Sequence, residues 1–83
     1  MPYRKKYAQP TLKPGTLIVA PVRWDDYAKE WAVLYGSSMR AAKNKVFLIL
    51  KLVDDDPTTH KDYVTDKGHL YINNVYYGLI KTV

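Results

Sequence analysis

The run at residues 46–53, VFLILKLV, constrains this chain most. Successive side chains of a β-strand point to opposite faces, so a run apolar at both parities predicts a central strand covered on both sides. Its longest unbroken apolar stretch, residues 46–50, is far shorter than the roughly 20 residues a membrane-spanning helix needs. With 83 residues the chain is long enough for one domain. A domain of that size buries only roughly 60–65% of its unfolded surface, so each long apolar segment is needed for folding. Asp54-Asp55-Asp56-Pro57 ends the strand.

Ahead of it, Pro2, Pro10 and Pro14 each remove a backbone donor and disfavour helix in the preceding residue. Residues 1–14 are therefore expected to form an extended arm, with a single domain over 15–83. Lys13-Pro14-Gly15 predicts a turn, followed by a strand at 16–22 (TLIVAPV) that Pro21 restricts to an edge or to its last residues.

Residues 24–43 carry two competing patterns. Trp24, Tyr27, Ala28, Trp31, Leu34, Tyr35, Ser38 and Ala42 recur at the three- and four-residue spacing of one helix face. Asp25, Asp26 and Glu30 at the start, with Arg40 and Lys43 at the end, complement a helix dipole. Asp25 fits an N-cap, Asn44 fits a C-terminal stop, and Gly36 weakens the middle enough to break the helix there. The helix is the preferred reading, with Trp24 and Trp31 anchoring it to the sheet. The alternative makes 31–35 a strand with Trp31, Val33 and Tyr35 on one side.

After the central strand, short strands are expected at 63–65 and 69–72 around an Asp66-Lys67-Gly68 turn. Asn73-Asn74 then predicts a two-residue hairpin turn into a last strand at 75–83. The expected fold is two-layer α+β, with one helix on a mostly antiparallel five-stranded sheet. The alternative is an all-β, SH3-like small barrel.

Charge narrows the function. The formal net charge is +5, and Arg4, Lys5, Lys6, Lys13 and Arg23 are the only charged side chains in residues 1–23. A basic arm ahead of a charge-balanced body predicts an acidic macromolecular partner, either nucleic acid or a protein that handles it. The absence of cysteine excludes disulfides and thiolate metal sites and favours a reducing, cytoplasmic setting. The N-terminus has no apolar core of a signal peptide. In composition the chain is similar to small phage-type accessory or inhibitor proteins.

Side chains for such a partner follow from the meander. A hairpin at Asn73-Asn74 places Leu70, Ile72, Val75, Tyr77 and Leu79 on the core face. It leaves His69, Tyr71, Tyr76 and Ile80 on the other face. A three-residue loop at 66–68 would set Tyr63 beside Tyr71. The resulting row of Tyr63, Tyr71 and Tyr76 suits base stacking, a protein interface, or self-association into a homo-oligomer. With Arg4, Lys5, Lys6, Lys13 and Arg23 it makes the expected partner-binding set.

Catalysis is not expected. His60 and His69 invite a small basic nuclease or toxin reading, but nothing in the spacing brings them together. Adjacent acids on a strand end point in opposite directions, so Asp54-Asp55-Asp56 predicts a solvated turn, and no metal or cofactor is expected. The functional expectation is a non-enzymatic binding protein.

Overall fold

A computed structural model describes residues 9–83. The described residues contain six strands, two 3-10 segments and no α-helix. The strands are β1 (Leu17–Asp25), β2 (Glu30–Val33), β3 (Lys43–Asp56), β4 (His60–Thr65), β5 (Gly68–Asn73) and β6 (Lys81–Thr82). They pair in the order β2-β5-β4-β3-β1-β6, and β1 also pairs with β2. That last pairing closes five strands into a barrel, with β6 added beside β1. The expected two-layer α+β fold is therefore overturned, and the all-β barrel alternative holds.

The expected helix at 24–43 is a hairpin. Asp25 does cap one turn, since its Oδ1 accepts from the backbone N–H groups of Tyr27 and Ala28 at 2.9 and 3.0 Å. The turn then ends at Lys29, whose φ of 58° is left-handed and sends the chain back along β1. Trp24 pairs with Trp31 and Asp25 with Glu30. Gly36, at φ 72°, opens a 3-10 turn over Gly36–Arg40 in place of a second half-helix. In β2, Trp31 and Val33 share a side, as the strand reading requires, while Tyr35 lies beyond its end.

Parity explains the core. Ile18, Ala20 and Val22 of β1, Phe47 and Ile49 of β3, Tyr63 of β4, and Leu70 and Ile72 of β5 are buried together. β3 is long enough to curl around this core because two register shifts, between Ile49 and Lys51 and between Leu52 and Asp54, break its ladder with β4. One face of residues 46–53 is not covered. Val46, Leu50 and Val53 point outward and are exposed, as is Leu17 of β1. Pro21 lies in β1 beyond Ile18 and Val19, the two residues that pair with β6, so its missing N–H interrupts no β1–β6 rung.

The meander differs from expectation at both turns. The β4–β5 turn has two central residues, Asp66 and Lys67, because Thr65 pairs with Gly68. Gly68 takes φ 105°, and Thr65 Oγ1 donates to its carbonyl at 2.7 Å. Asn73-Asn74 closes no hairpin. Asn73 caps a 3-10 segment, Asn74–Leu79, by accepting from the Val75 N–H. Buried Asn74 donates to the carbonyls of Asp56 and Pro57 and ties that segment to the β3–β4 turn. The expected strand at 75–83 is thereby reduced to β6.

At one barrel end several polar groups pair with one another. Lys61, 2% exposed, pairs with Asp55 across the β3–β4 ladder. The Tyr63 and Tyr77 hydroxyls meet at 3.2 Å, and Tyr77 donates to the Pro10 carbonyl at 2.6 Å. The Leu12 N–H donates to the Tyr63 oxygen. Burial, then the Tyr63 hydrogen bond, pushes the Tyr77 phenol well up. No helix of the described residues is long and apolar enough to cross a membrane.

Candidate functional site

The inner-face ladder leaves the barrel core at its other end. Ile18 pairs with Phe47, Ala20 with Lys45 and Val22 with Lys43. Paired residues share a face, so Lys43 and Lys45 continue the inner row that Phe47 begins. They project where the barrel opens. Trp24 and Trp31 continue the same row on β1 and β2. The result is an open cleft of about 360 Å³ lined by Val22, Arg23, Trp24, Trp31, Ala41, Lys43 and Lys45.

Trp31 forms the floor. It stacks edge to face on Phe47 at 6.1 Å, and its indole N–H donates to the Lys67 carbonyl at 3.0 Å. Lys45 Nζ sits 5.3 Å from the centre of the Trp31 ring, a cation–π contact. Trp24 forms a wall and is 37% exposed. Three cationic side chains and no carboxylate line the cleft. Among the described residues, the ion pairs within 4.0 Å involve His60, Lys61 and Lys67, and none involves Arg23, Lys43 or Lys45. Such a cleft offers a π-face for a planar ring and unpaired cations for anions beside it.

The expected site residues scatter. Arg4, Lys5 and Lys6 lie outside the described residues. Lys13 is exposed in the turn before β1, where its carbonyl accepts from the Thr16 N–H. Arg23 lines the cleft. Tyr63 is 0% exposed and belongs to the core, which corrects its placement beside Tyr71. The two-residue turn pairs Tyr63 with Leu70 and Asp62 with Tyr71, and a shift of one residue moves a side chain to the opposite face. Tyr76 packs beside Tyr35, centroids 5.4 Å apart, in the last 3-10 segment. No row of three tyrosines forms.

Tyr71 does face outward, but among acids. Burial, then the charges of Asp62 and Glu30, raises its phenol. Burial, then Asp62, raises the Glu30 carboxyl. Burial raises Asp62 as well, and Asp54 adds to the rise. This face repels an anion, whereas the cleft attracts one. His60 pairs with Asn73 and His69 faces Val64, so the histidines stand four rungs apart, on the order of 13 Å. That is too far for both to act on one reacting group.

Trp24, Trp31, Lys43 and Lys45 were missed as a set because the tryptophans fit a helix face equally well. One available signal was the two-residue spacing of Lys43, Lys45 and Phe47, which is the period of a strand entering the core. Comparison with known proteins finds no matching family, no matching curated protein and no matching solved structure.

Proposed function

We propose that this chain is a non-enzymatic binding protein that holds single-stranded nucleic acid across the Trp24–Trp31 cleft. The observation that carries this reading is the lining of the cleft: two indoles with Arg23, Lys43 and Lys45, and no acid. A base stacked on the exposed Trp24 ring gains about 1–3 kcal/mol, and the cations take the flanking phosphates. The charge pattern of the sequence leads to an acidic partner, and the acid-free lining of the cleft supports that reading. The N-terminal Arg4, Lys5 and Lys6 add charge of the same sign. The absence of cysteine fits a reducing, cytoplasmic setting.

Titration with an unstructured oligonucleotide, read by tryptophan fluorescence, tests the proposal. Quenching on binding is expected, with affinity falling steeply as salt rises. Lys43→Ala with Arg23→Ala should flatten the logarithmic salt slope by about 0.7 per cation removed. Trp24→Ala should weaken binding about tenfold. Binding that survives all three changes unaltered rejects the cleft as the site.

A second reading, self-association, rests on a different observation. The outer faces of β1 and β3 bring Leu17, Val46 and Leu50 together as exposed apolar side chains, with Leu17 paired to Leu48 and Val19 to Val46. This face, rather than a tyrosine row, would meet a second copy. Sedimentation equilibrium decides it: a dimer that Val46→Lys converts to monomer supports the reading, and a monomer at every concentration removes it.

A further inference from the structure

The outer face of β3, β4 and β5 holds a second cluster that the cleft does not use. We infer that Asp54, His60 and Asp62 form a site for one divalent first-row transition-metal ion. The topology makes the cluster. The bulges in β3 put Asp54 outward opposite Asp62, and His60 lies two residues from Asp62 on the same face of β4. Of the three consecutive aspartates, only Asp54 joins the cluster. Asp55 turns inward to Lys61, and the Asp56 side chain accepts from the Thr58 N–H and hydroxyl.

The donor geometry suits such an ion. His60 Nε2 lies 3.1 Å from Asp54 Oδ2 and 3.9 Å from Asp62 Oδ2, and one donor atom from each residue lies within 4.8 Å of the others. Ligands about 2.0–2.2 Å from a tetrahedral zinc ion stand roughly 3.3–3.5 Å apart, so small side-chain movements close the set. The imidazole is held in place. Its ring stacks on Tyr71 at 5.1 Å and 22°, and its Nδ1 lies 2.8 Å from the Thr59 hydroxyl. A partner on the far ring nitrogen is how ligating histidines are oriented.

The carboxylates of the cluster themselves favour a cation. Asp62 Oδ1 is closed to solvent and has no hydrogen-bond partner, although a buried carboxylate oxygen is costly to leave unsatisfied. Asp54 and Asp62 also oppose each other directly across the ladder, where like charges destabilise a sheet. A metal ion held between the two carboxylates relieves this repulsion. One imidazole with two carboxylates favours ions such as Zn²⁺ over Mg²⁺ or Ca²⁺, which prefer all-oxygen shells. Three protein ligands leave a coordination position for water or a further ligand.

Calorimetric titration of the metal-free chain with Zn²⁺ tests the assignment, with Mg²⁺ as the competing ion. One Zn²⁺ per chain is expected, not displaced by excess Mg²⁺. His60→Gln and Asp62→Asn should each weaken binding at least tenfold, and His69→Gln should leave it unchanged. Asp54→Asn changes an exposed side chain and keeps the test valid if either of the other variants fails to fold; it too should weaken binding. Titration of Mn²⁺ followed by amide NMR supplies a second readout. Signals of residues 54, 60 and 62 should broaden before those of residues 43–45. Absence of saturable Zn²⁺ binding, or affinity unchanged in Asp54→Asn and His60→Gln, overturns the proposal and leaves His60 as a hydrogen-bonding partner of Asp54 beside Asp62.

Discussion

Trp24 and Trp31 meet edge to face across the β1–β2 hairpin, ring centres 5.3 Å apart and planes at 71°. They are direct cross-strand partners, yet their surroundings differ. Trp31 packs into the barrel mouth against Phe47, while Trp24 keeps a free surface. One indole therefore serves stability and the other is available to a ligand.

Urea denaturation should separate the two roles. Trp31→Ala removes the floor of the cleft and should cost about 3 kcal/mol. Trp24→Ala should cost about 1 kcal/mol, while weakening oligonucleotide binding. Equal stability losses would mean that Trp24 is as much a core residue as Trp31.

Lys29 tests the hairpin itself. Its left-handed backbone, φ 58°, is strained for a side-chain-bearing residue by roughly 1 kcal/mol. Lys29→Gly relieves that strain and loses part of the gain to the greater freedom of glycine in the unfolded chain. Stability should stay level or rise by up to about 1 kcal/mol. In the interior of a helix the same change would cost about 1 kcal/mol, so the sign of the result distinguishes the two folds.

The Lys61–Asp55 pair should respond asymmetrically. Lys61 is buried, whereas Asp55 is partly exposed. Lys61→Met replaces a buried ammonium with an apolar chain and lets Asp55 turn to water, so stability should change by less than about 1 kcal/mol. Asp55→Ala leaves Lys61 charged and buried, and should cost about 3 kcal/mol. Thermal melts of the two variants give the comparison, and the reverse order would refute it.

Acid stability should depend on Asp66. Its carboxylate accepts the Leu48 N–H at 2.9 Å, and this bond, followed by Lys67, holds its pKa below the usual carboxylate range. The folded value lies below the unfolded one, so the stabilisation is full above about pH 4 and is lost as pH falls through the folded value. Asp66→Asn should be less stable near neutrality, and its melting temperature should fall less between about pH 5 and pH 2. Parallel acid profiles would show that the Leu48 bond contributes nothing.

Tyr63 fastens the segment ahead of β1. Its hydroxyl oxygen accepts the Leu12 N–H at 3.0 Å from inside the core. Tyr63→Phe should cost about 1–2 kcal/mol and raise hydrogen exchange at the Leu12 amide. Unchanged exchange at that amide would place the anchor elsewhere, at Tyr77 and Pro10.

Much of the strand content was legible. The central position of residues 46–53, the turn at Lys13-Pro14-Gly15 and the core role of Leu70 and Ile72 follow from local pattern, and the structure keeps them, whereas Gly36 opens a 3-10 turn instead of breaking a helix. The cap at Asp25 was also legible, though it serves one turn instead of a helix. The Trp24–Trp31 spacing was ambiguous for a definite reason. Seven residues are two turns of a helix, and they are also the separation of cross-strand partners in this hairpin. Only the left-handed backbone at Lys29 separates the readings, and lysine gives no signal of that conformation.

Composition and period determined by themselves that residues 46–53 form a strand apolar at both parities and that surplus positive charge lies near the start of the chain. Tertiary structure alone decided which face Tyr63 and the three aspartates occupy. A two-residue turn at Asp66-Lys67 sent Tyr63 inward, and two bulges split the aspartate run so that Asp54 meets His60 and Asp62. Faces in a sheet alternate with every residue, so a single step in a turn or bulge reverses them. Which step is taken depends on pairing partners far along the chain, and no local pattern carries that information.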